Sequence, residues 1–272
     1  MHIDHFVGFD HLLRLHLGRG RRVRVFGPPG ITQCVNGKLQ GYTWNLVKHQ
    51  RLVFEVYEAR GDEMQVSEFA CRRRFRHPRV TLRPAGDLLF EDDMVRVRWT
   101  ELDHHTPSMA YTVTERDFFN VNPLRLDASG LKPGSWLNHL KKLVRTNQAR
   151  GAELEIDGQI HDAEALAGDL LIHTPGRTIG YIADSAASPE NLLKAKALMQ
   201  EVDLLYCEGA FLEADRARAD QTAHMTAGQA GHLARAAGAK RLVVFHFSPK
   251  YEGRFEELEA EAEATFSGLS SS

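Results

Sequence analysis

The sequence predicts a mixed α+β fold whose polar clusters sit where strands end. Three observations predict it. Apolar residues switch repeatedly between helical spacing and strict alternation. The stretch 51–111 is mostly of strand type, with alternating or β-branched content. From about residue 177 onward, strand-like and helix-like segments alternate until an acidic helix closes the chain.

The elements follow in order. Residues 9–17 read as a helix ended near Gly18 and Gly20, and VRVFG at 23–27 as a short strand stopped by Pro28, Pro29 and Gly30. RLVFEVYEA, SEFACRRRF, DMVRVRWTEL and MAYTVTE then read as strands. SWLNHLKKLVRT, at 135–146, reads as a helix with Lys and Arg on its outer face. Strand RTIGYIADS, helix PENLLKAKALMQEV, strand DLLYCEG, helix TAGQAGHLARAAG, strand RLVVFHFS and helix FEELEAEAEATF complete the chain. No repeat or low-complexity linker interrupts it, so one domain over 1–272 is expected.

Composition narrows the class. The chain has 272 residues, 43 % hydrophobic and 26 % charged, and its formal net charge is −2. It is ordinary globular material rather than a cationic nucleic-acid sponge. No apolar run approaches the ~18 residues of a membrane span, so no membrane partner is expected. Cys34, Cys71 and Cys207 are odd in number and far apart, which argues against a disulfide framework and fits the cytoplasm. Charge is nevertheless clumped: RGRRVR at 19–24 and RRRFRHPR at 72–79 are basic patches suited either to phosphates or to a solvated face.

The chemistry concentrates in a few residues. His2, Asp4 and His5 open the chain as His-x-Asp-His; His104 and His105 follow one strand, Asp184 ends another, and His246 ends a third. Strand ends give rigid anchorage with loop access, so these side chains are expected to meet at one edge. Imidazole and carboxylate donors together suit Zn²⁺, and a shared carboxylate bridges two ions. Singly, each has a plainer reading, as a satisfied polar tip or, for Asp184, a cap on the helix near Pro189. Their conjunction carries the metal reading.

These residues resemble a known family. HIDHFVGFDHLL resembles the His-x-His-x-Asp-His signature of the metallo-β-lactamase superfamily without its first His. HHTPSMAY, HMTAGQAG, VVFHFSPKY, VFGPPG and LKPGSW resemble stretches of ribonuclease Z, the tRNA 3′-processing endonuclease, in the family's order and from residue 1 to about Tyr251. Ala110 and Lys250 stand where the family has Gly and Arg, and YCEGAF replaces its usual His-Glu-Ala-Thr. The resemblance implies a four-layer αββα sandwich lacking its first strands, with a short arm insertion around 117–150. It places the family's first ligand just before Met1, so the chain is expected to be truncated and one ligand short.

The resemblance also implies roles. One zinc site would use His2, His104 and Asp184; the other Asp4, His5, His246 and the bridging Asp184. The register to Pro107, Ser108 and Tyr111 favours His104 over His105. With one site short of a ligand, fewer than two tightly held zinc ions are expected. Asp4 would handle the nucleophile's proton, and His224 would donate one to the leaving oxygen. Glu208 would orient His224, and Ser248 would contact a phosphate or simply end its strand. Lys132, Lys141, Lys142 and Arg145 in the arm would contact RNA phosphates. The expected activity is removal of 3′ trailers from precursor tRNA by a homodimer. The alternatives are hydrolysis of a small phosphodiester such as a cyclic nucleotide, or a catalytically impaired homologue that binds RNA or a partner.

Overall fold

The computed structural model describes residues 2–268, so the expectation attached to Met1 lies outside the described residues. The chain divides into two compact units: Met1–Glu91 with Arg96–Val113 and Ile179–Ser272, and Asp92–Val95 with Thr114–Thr178.

The first unit opens with α1 (Ile3–Phe6), α2 (Phe9–His16), β1 (Arg22–Gly27), α3 (Ile31–Gln40), β2 (Val53–Arg60), β3 (Glu63–Ala70) and β4 (Arg79–Pro84). The strands form one sheet in the order β1-β2-β3-β4, parallel for the first pair and antiparallel after it. Register pairs Phe54 with Phe69 on one face and Ala59 with Met64 on the other. The period of two therefore sorts side chains between two cores. Phe54 and Phe69 pack with Phe9, Leu13, Val35 and Leu39 from α2 and α3. Full burial of each such side chain is worth about 1.5–3 kcal/mol.

Two local outcomes depart from the sequence reading. Helix α3 was not expected, because Thr32, Cys34, Asn36 and Gly37 are weak helix formers and no side chain caps its start. Ile31, Val35 and Leu39, one per turn and all buried, hold it by packing instead. SEFACRRRF was expected to be a strand throughout, yet β3 stops at Ala70. A short turn follows, and Arg74 and Phe75 take left-handed backbone angles (φ 57° and 55°). Phe75 is fully buried, so its ring draws the chain under the sheet and ends the pairing.

The chain continues through β5 (Leu88–Glu91), β6 (Val95–Asp103) and β7 (Pro107–Glu115) into the second unit. There β8 (Phe118–Val121), α4 (Pro123–Ser129), α5 (Trp136–Arg145), β9 (Glu153–Ile156), β10 (Gln159–Asp162), α6 (Ala163–Leu170) and β11 (Leu171–Thr174) follow. β8 pairs with β11 and β9 with β10 around a core of Leu126, Trp136, Leu140, Leu154 and Leu170. The segment 117–150, expected as an arm, lies in this unit.

The first unit then resumes with β12 (Thr178–Ile182), α7 (Pro189–Leu198), β13 (Leu204–Glu208), α8 (Arg216–Gln221), α9 (Ala227–Ala237), β14 (Leu242–Phe245) and α10 (Phe255–Ser267). A second sheet runs β14-β13-β12-β7-β6-β5, with β12, β13 and β14 parallel. Ile182, Leu205 and Val244 meet Met199, at the C-cap of α7, and Leu233 and Leu258 from α9 and α10. Ala59 and Met64 of the first sheet meet Leu89 and Met109 of the second. The layers are thus helix, sheet, sheet, helix. Helix α9 is well specified: Thr226 and Gln229 form a reciprocal capping box, and Gly238 ends it at φ 70°. No helix among the described residues is long and apolar enough to cross a membrane.

Candidate metal centre

Every ligand candidate lies in the first unit. The parallel strands β12, β13 and β14 end at one edge, where ligands of layered α/β sheets gather. Asp184 follows β12, Glu208 ends β13 and His246 follows β14; His104 follows β6. Helix α1 brings Asp4 and His5, with His2 at its N-cap. Asp184 and His246 both have positive φ, 43° and 63°, uncommon for residues other than glycine. Such strain is tolerated where the fold over-determines a functional geometry.

Asp184 is the hub. Its Oδ2 lies 3.1 Å from His5 Nε2, 3.3 Å from His2 Nδ1 and 3.7 Å from His104 Nε2. Its Oδ1 lies 3.4 Å from His246 Nε2. Asp4 Oδ2 lies 3.3 Å from His5 Nε2 and 3.4 Å from His246 Nε2. Two sets emerge, His2–His104–Asp184 and Asp4–His5–His246, each with one donor atom per residue and all donors within 4.8 Å of one another. A third set, Asp184–His224–His246, shares members with both.

The donor set fits metal ions. Asp184 Oδ1 and His246 Nδ1 are buried and have no hydrogen-bond partner among the described residues. A buried polar atom left unpaired costs ~1–3 kcal/mol, and ligation by Oδ1 would remove that cost at Asp184. Imidazole rings also crowd one another, with centroids 5.2 Å apart for His2–His104 and 5.0 Å for His5–His246. Several imidazolium cations at that spacing would repel, whereas neutral rings sharing metal ions would not.

Neighbouring residues fix the ligands. His104 is buried, and its Nδ1 lies 2.8 Å from the Ala223 carbonyl. That contact fixes the ring and turns Nε2 toward Asp184. His105, by contrast, is exposed at φ 55° and lines a different cavity with Thr106 and Glu190. Asn191, 2 % exposed, clamps two ligand loops together. Its Oδ1 accepts from Asp103 N (3.0 Å), and its Nδ2 donates to the carbonyls of Asp103 (2.8 Å) and Ala186 (2.9 Å). Sequence reasoning missed Asn191, since it reads as an ordinary residue in the first turn of α7.

Glu208 is fully buried, and its carboxylate accepts from Ser185 N and pairs with His224 Nδ1 at 2.8 Å. Burial on its own would lower the pKa of His224. The Glu208 hydrogen bond and the charges of Glu208, Asp184 and Asp4 outweigh it, and the net direction is upward. With Nδ1 held, Nε2 is the open ring atom. Cys207 and Gly209, which flank Glu208, face the protein interior: Cys207 is buried near Met225, and a side chain at Gly209 would press on Ala227 and Val244.

Beside the ligands lies a cavity of about 250 Å³, lined among others by His5, Phe26, Pro28, Tyr111 and Asp184. Burial holds the Tyr111 phenol well above its ordinary range, and its hydroxyl donates to the Phe26 carbonyl at 3.3 Å. Ser248 caps the turn at Pro249–Tyr251, with Oγ accepting from Lys250 N at 3.4 Å. In the second unit Lys132, Lys142 and Arg145 are exposed and Lys141 is half-buried on or beside α5.

Comparison with known proteins shows the family. A family model described as the beta-lactamase superfamily domain matches residues 81–247. A ribonuclease Z of Deinococcus radiodurans is 31 % identical over 269 residues, covering 98 % of this chain and 79 % of that protein. Among solved structures, human tRNase Z, short form, aligns over 93 % of this chain and 71 % of its own, at 19 % identity and TM-score 0.51. The metallo-β-lactamase fold protein YhfI of Bacillus subtilis aligns over 98 % and 68 %, at 16 % identity and TM-score 0.50. At these identities the two structures speak to the fold. Fold and site define a metal-binding protein of the metallo-β-lactamase superfamily. Within it, the chain belongs to the ribonuclease Z family.

Proposed function

We propose that this protein is a zinc-dependent endoribonuclease that removes 3′ trailers from precursor tRNA. The observation that carries the reading is the Asp184 carboxylate, which lies between both histidine sets with one oxygen that accepts no hydrogen bond among the described residues. His2, His104 and Asp184 would hold one ion; Asp4, His5, His246 and Asp184 the other. Bound ions would lower the pKa of a water toward ~7 and clamp the phosphodiester for in-line attack.

The chain's own residues supply the rest. Asp4, in contact with His5 and His246, would orient the attacking water and take its proton. His224, protonated with the help of Glu208, donates from Nε2 to the departing 3′-oxygen. Glu208 is a positioning residue, fixing the ring through Nδ1. The exposed Lys132, Lys142 and Arg145, with Lys141, are phosphate contacts of the second unit, where shape rather than base sequence governs RNA selection. A cytoplasmic location is supported by the three free cysteines. Homodimerisation is supported by the family resemblance, and sedimentation equilibrium reads it directly.

The test is a precursor tRNA transcript bearing a 3′ trailer. Zinc-loaded protein should release the trailer by a single cut after the discriminator base, and a chelator should stop it. Hydrolysis of a cyclic nucleotide with the transcript left intact would replace this reading by the small-substrate alternative.

A further inference from the structure

Two stretches of this chain contain no Asp or Glu: residues 11–54 hold eight Lys and Arg, and residues 69–86 hold six. In a chain of net charge −2, that is segregation of charge rather than excess. The first sheet brings both stretches to one end. Val53 N donates to the Arg21 carbonyl (3.0 Å) and Cys71 N to the Leu52 carbonyl (2.9 Å). Arg79 lies opposite Glu68 in the register of β3 and β4. The starts of β1, β2 and β4 and the end of β3 therefore coincide.

The nearby acids are already engaged. Glu55 pairs with Arg22 and Arg24, and Glu68 with Arg22 and Arg73. That leaves Arg21, Arg51, Arg72, Arg74, Arg76 and Arg79, all exposed and without a carboxylate partner among the described residues. A merely solvated face explains this poorly. The turn that carries three of them, Arg72, Arg74 and Arg76, has left-handed backbone at Arg74, Phe75 and His77 (φ 57°, 55° and 51°). Each such residue costs roughly 1–2 kcal/mol. Phe75 pins the turn from inside, so the arginines are displayed from a fixed frame at mutual repulsion. Polyanion binding relieves that repulsion, and the planar guanidinium fork matches phosphate oxygens.

Position distinguishes this surface from the metal centre. Phe26 and Gly27, at the other end of β1, line the metal-side cavity. At ~3.3 Å per residue, Arg22 stands about 17 Å from Gly27. A small phosphodiester in the cavity cannot reach the arginines; a helical RNA stem can span both.

We propose that the arginine-rich end of the first sheet is a second docking surface for the RNA substrate, gripping the phosphate backbone of a stem while the scissile linkage lies at the metal centre. This rests on the ribonuclease reading above. Contacts there would be sequence-independent and salt-sensitive.

The test uses the full chain with Arg72→Gln, Arg74→Gln and Arg76→Gln combined, which leaves Phe75 and the turn's backbone preferences in place. Filter binding to a precursor tRNA transcript in EDTA reads affinity without cleavage. The triple variant should bind about tenfold or more weakly near 0.1 M salt, and its salt slope should shrink by roughly 2–3. Hydrolysis of bis(p-nitrophenyl) phosphate by the zinc-loaded variant should be unchanged. The matching Arg→Lys triple should keep most of the slope, which separates lost charge from damaged folding.

Equal affinity and slope in wild type and Gln variant would overturn the docking surface while leaving the ribonuclease reading intact. Wild type that hydrolyses the small ester but neither binds nor cuts the transcript would remove the ribonuclease reading, and this proposal with it. Arginine-dependent binding to phosphatidylserine vesicles, with RNA binding unaltered in the variant, would reassign the surface to a lipid headgroup and overturn the proposal.

Discussion

The two halves of the metal centre are built differently. His104, Asp184 and His246 stand on strand ends of the second sheet; the first two are buried, and Asn191 and the Ala223 carbonyl brace them. His2, Asp4 and His5 come from a four-residue helix and its N-cap, with side chains 49 %, 58 % and 28 % exposed, and their ion pairs among the described residues run to other ligands. One half is preorganised by a core; the other is assembled by the chemistry it serves. Metal binding should therefore order the helical half far more than the strand half. Amide hydrogen exchange of apo and zinc-loaded protein tests this directly: slowing should concentrate at α1 and spare the ends of β12 and β14.

Substitutions sharpen the contrast. Asp184→Asn strikes the hub, so metal analysis should show loss from both sets and the rate should fall by on the order of 10³-fold or more. Retention of two ions would mean that Asp184 does not bridge. His224→Ala should lower the rate by about 10²-fold while zinc content stays constant; loss of metal instead would make His224 a ligand, a role its 4.8 Å set with Asp184 and His246 permits geometrically. Asn191→Leu removes the brace between two ligand loops and should weaken zinc binding by about 10- to 100-fold, with no change in the apparent pH profile of cleavage. His2→Ala, in the exposed half, should weaken one ion by roughly tenfold and leave the Asp4–His5–His246 set filled. If His2 and Asp184 variants behaved alike, the two-halves account would fail.

How much of this was legible beforehand follows from what each residue does. Ligands reveal themselves because chemistry restricts their type, and strand ends restrict their place. Asp184 and His246 each follow an apolar run, and His2, Asp4 and His5 are tightly spaced. Between His104 and His105 the sequence decides only through the family register to Pro107, Ser108 and Tyr111; the physical reason, backbone angle and burial, is visible in the structure alone. Asn191 and the Ala223 carbonyl act through contacts 88 and 119 residues away, so no local pattern announces them. The same holds for the fold. Strong alternation gave away β2 and β6, whereas α3 depends on packing that overrides weak propensity. The four-residue strands of the second unit are too short to show a period.

The most direct test of the central claim is the rate of trailer release from a precursor tRNA transcript as zinc is returned to chelator-stripped protein. Release should be absent at the start and rise with bound zinc, with one cut position throughout. Full-rate cleavage before any metal is restored, or none when both ligand sets are occupied, would contradict the account.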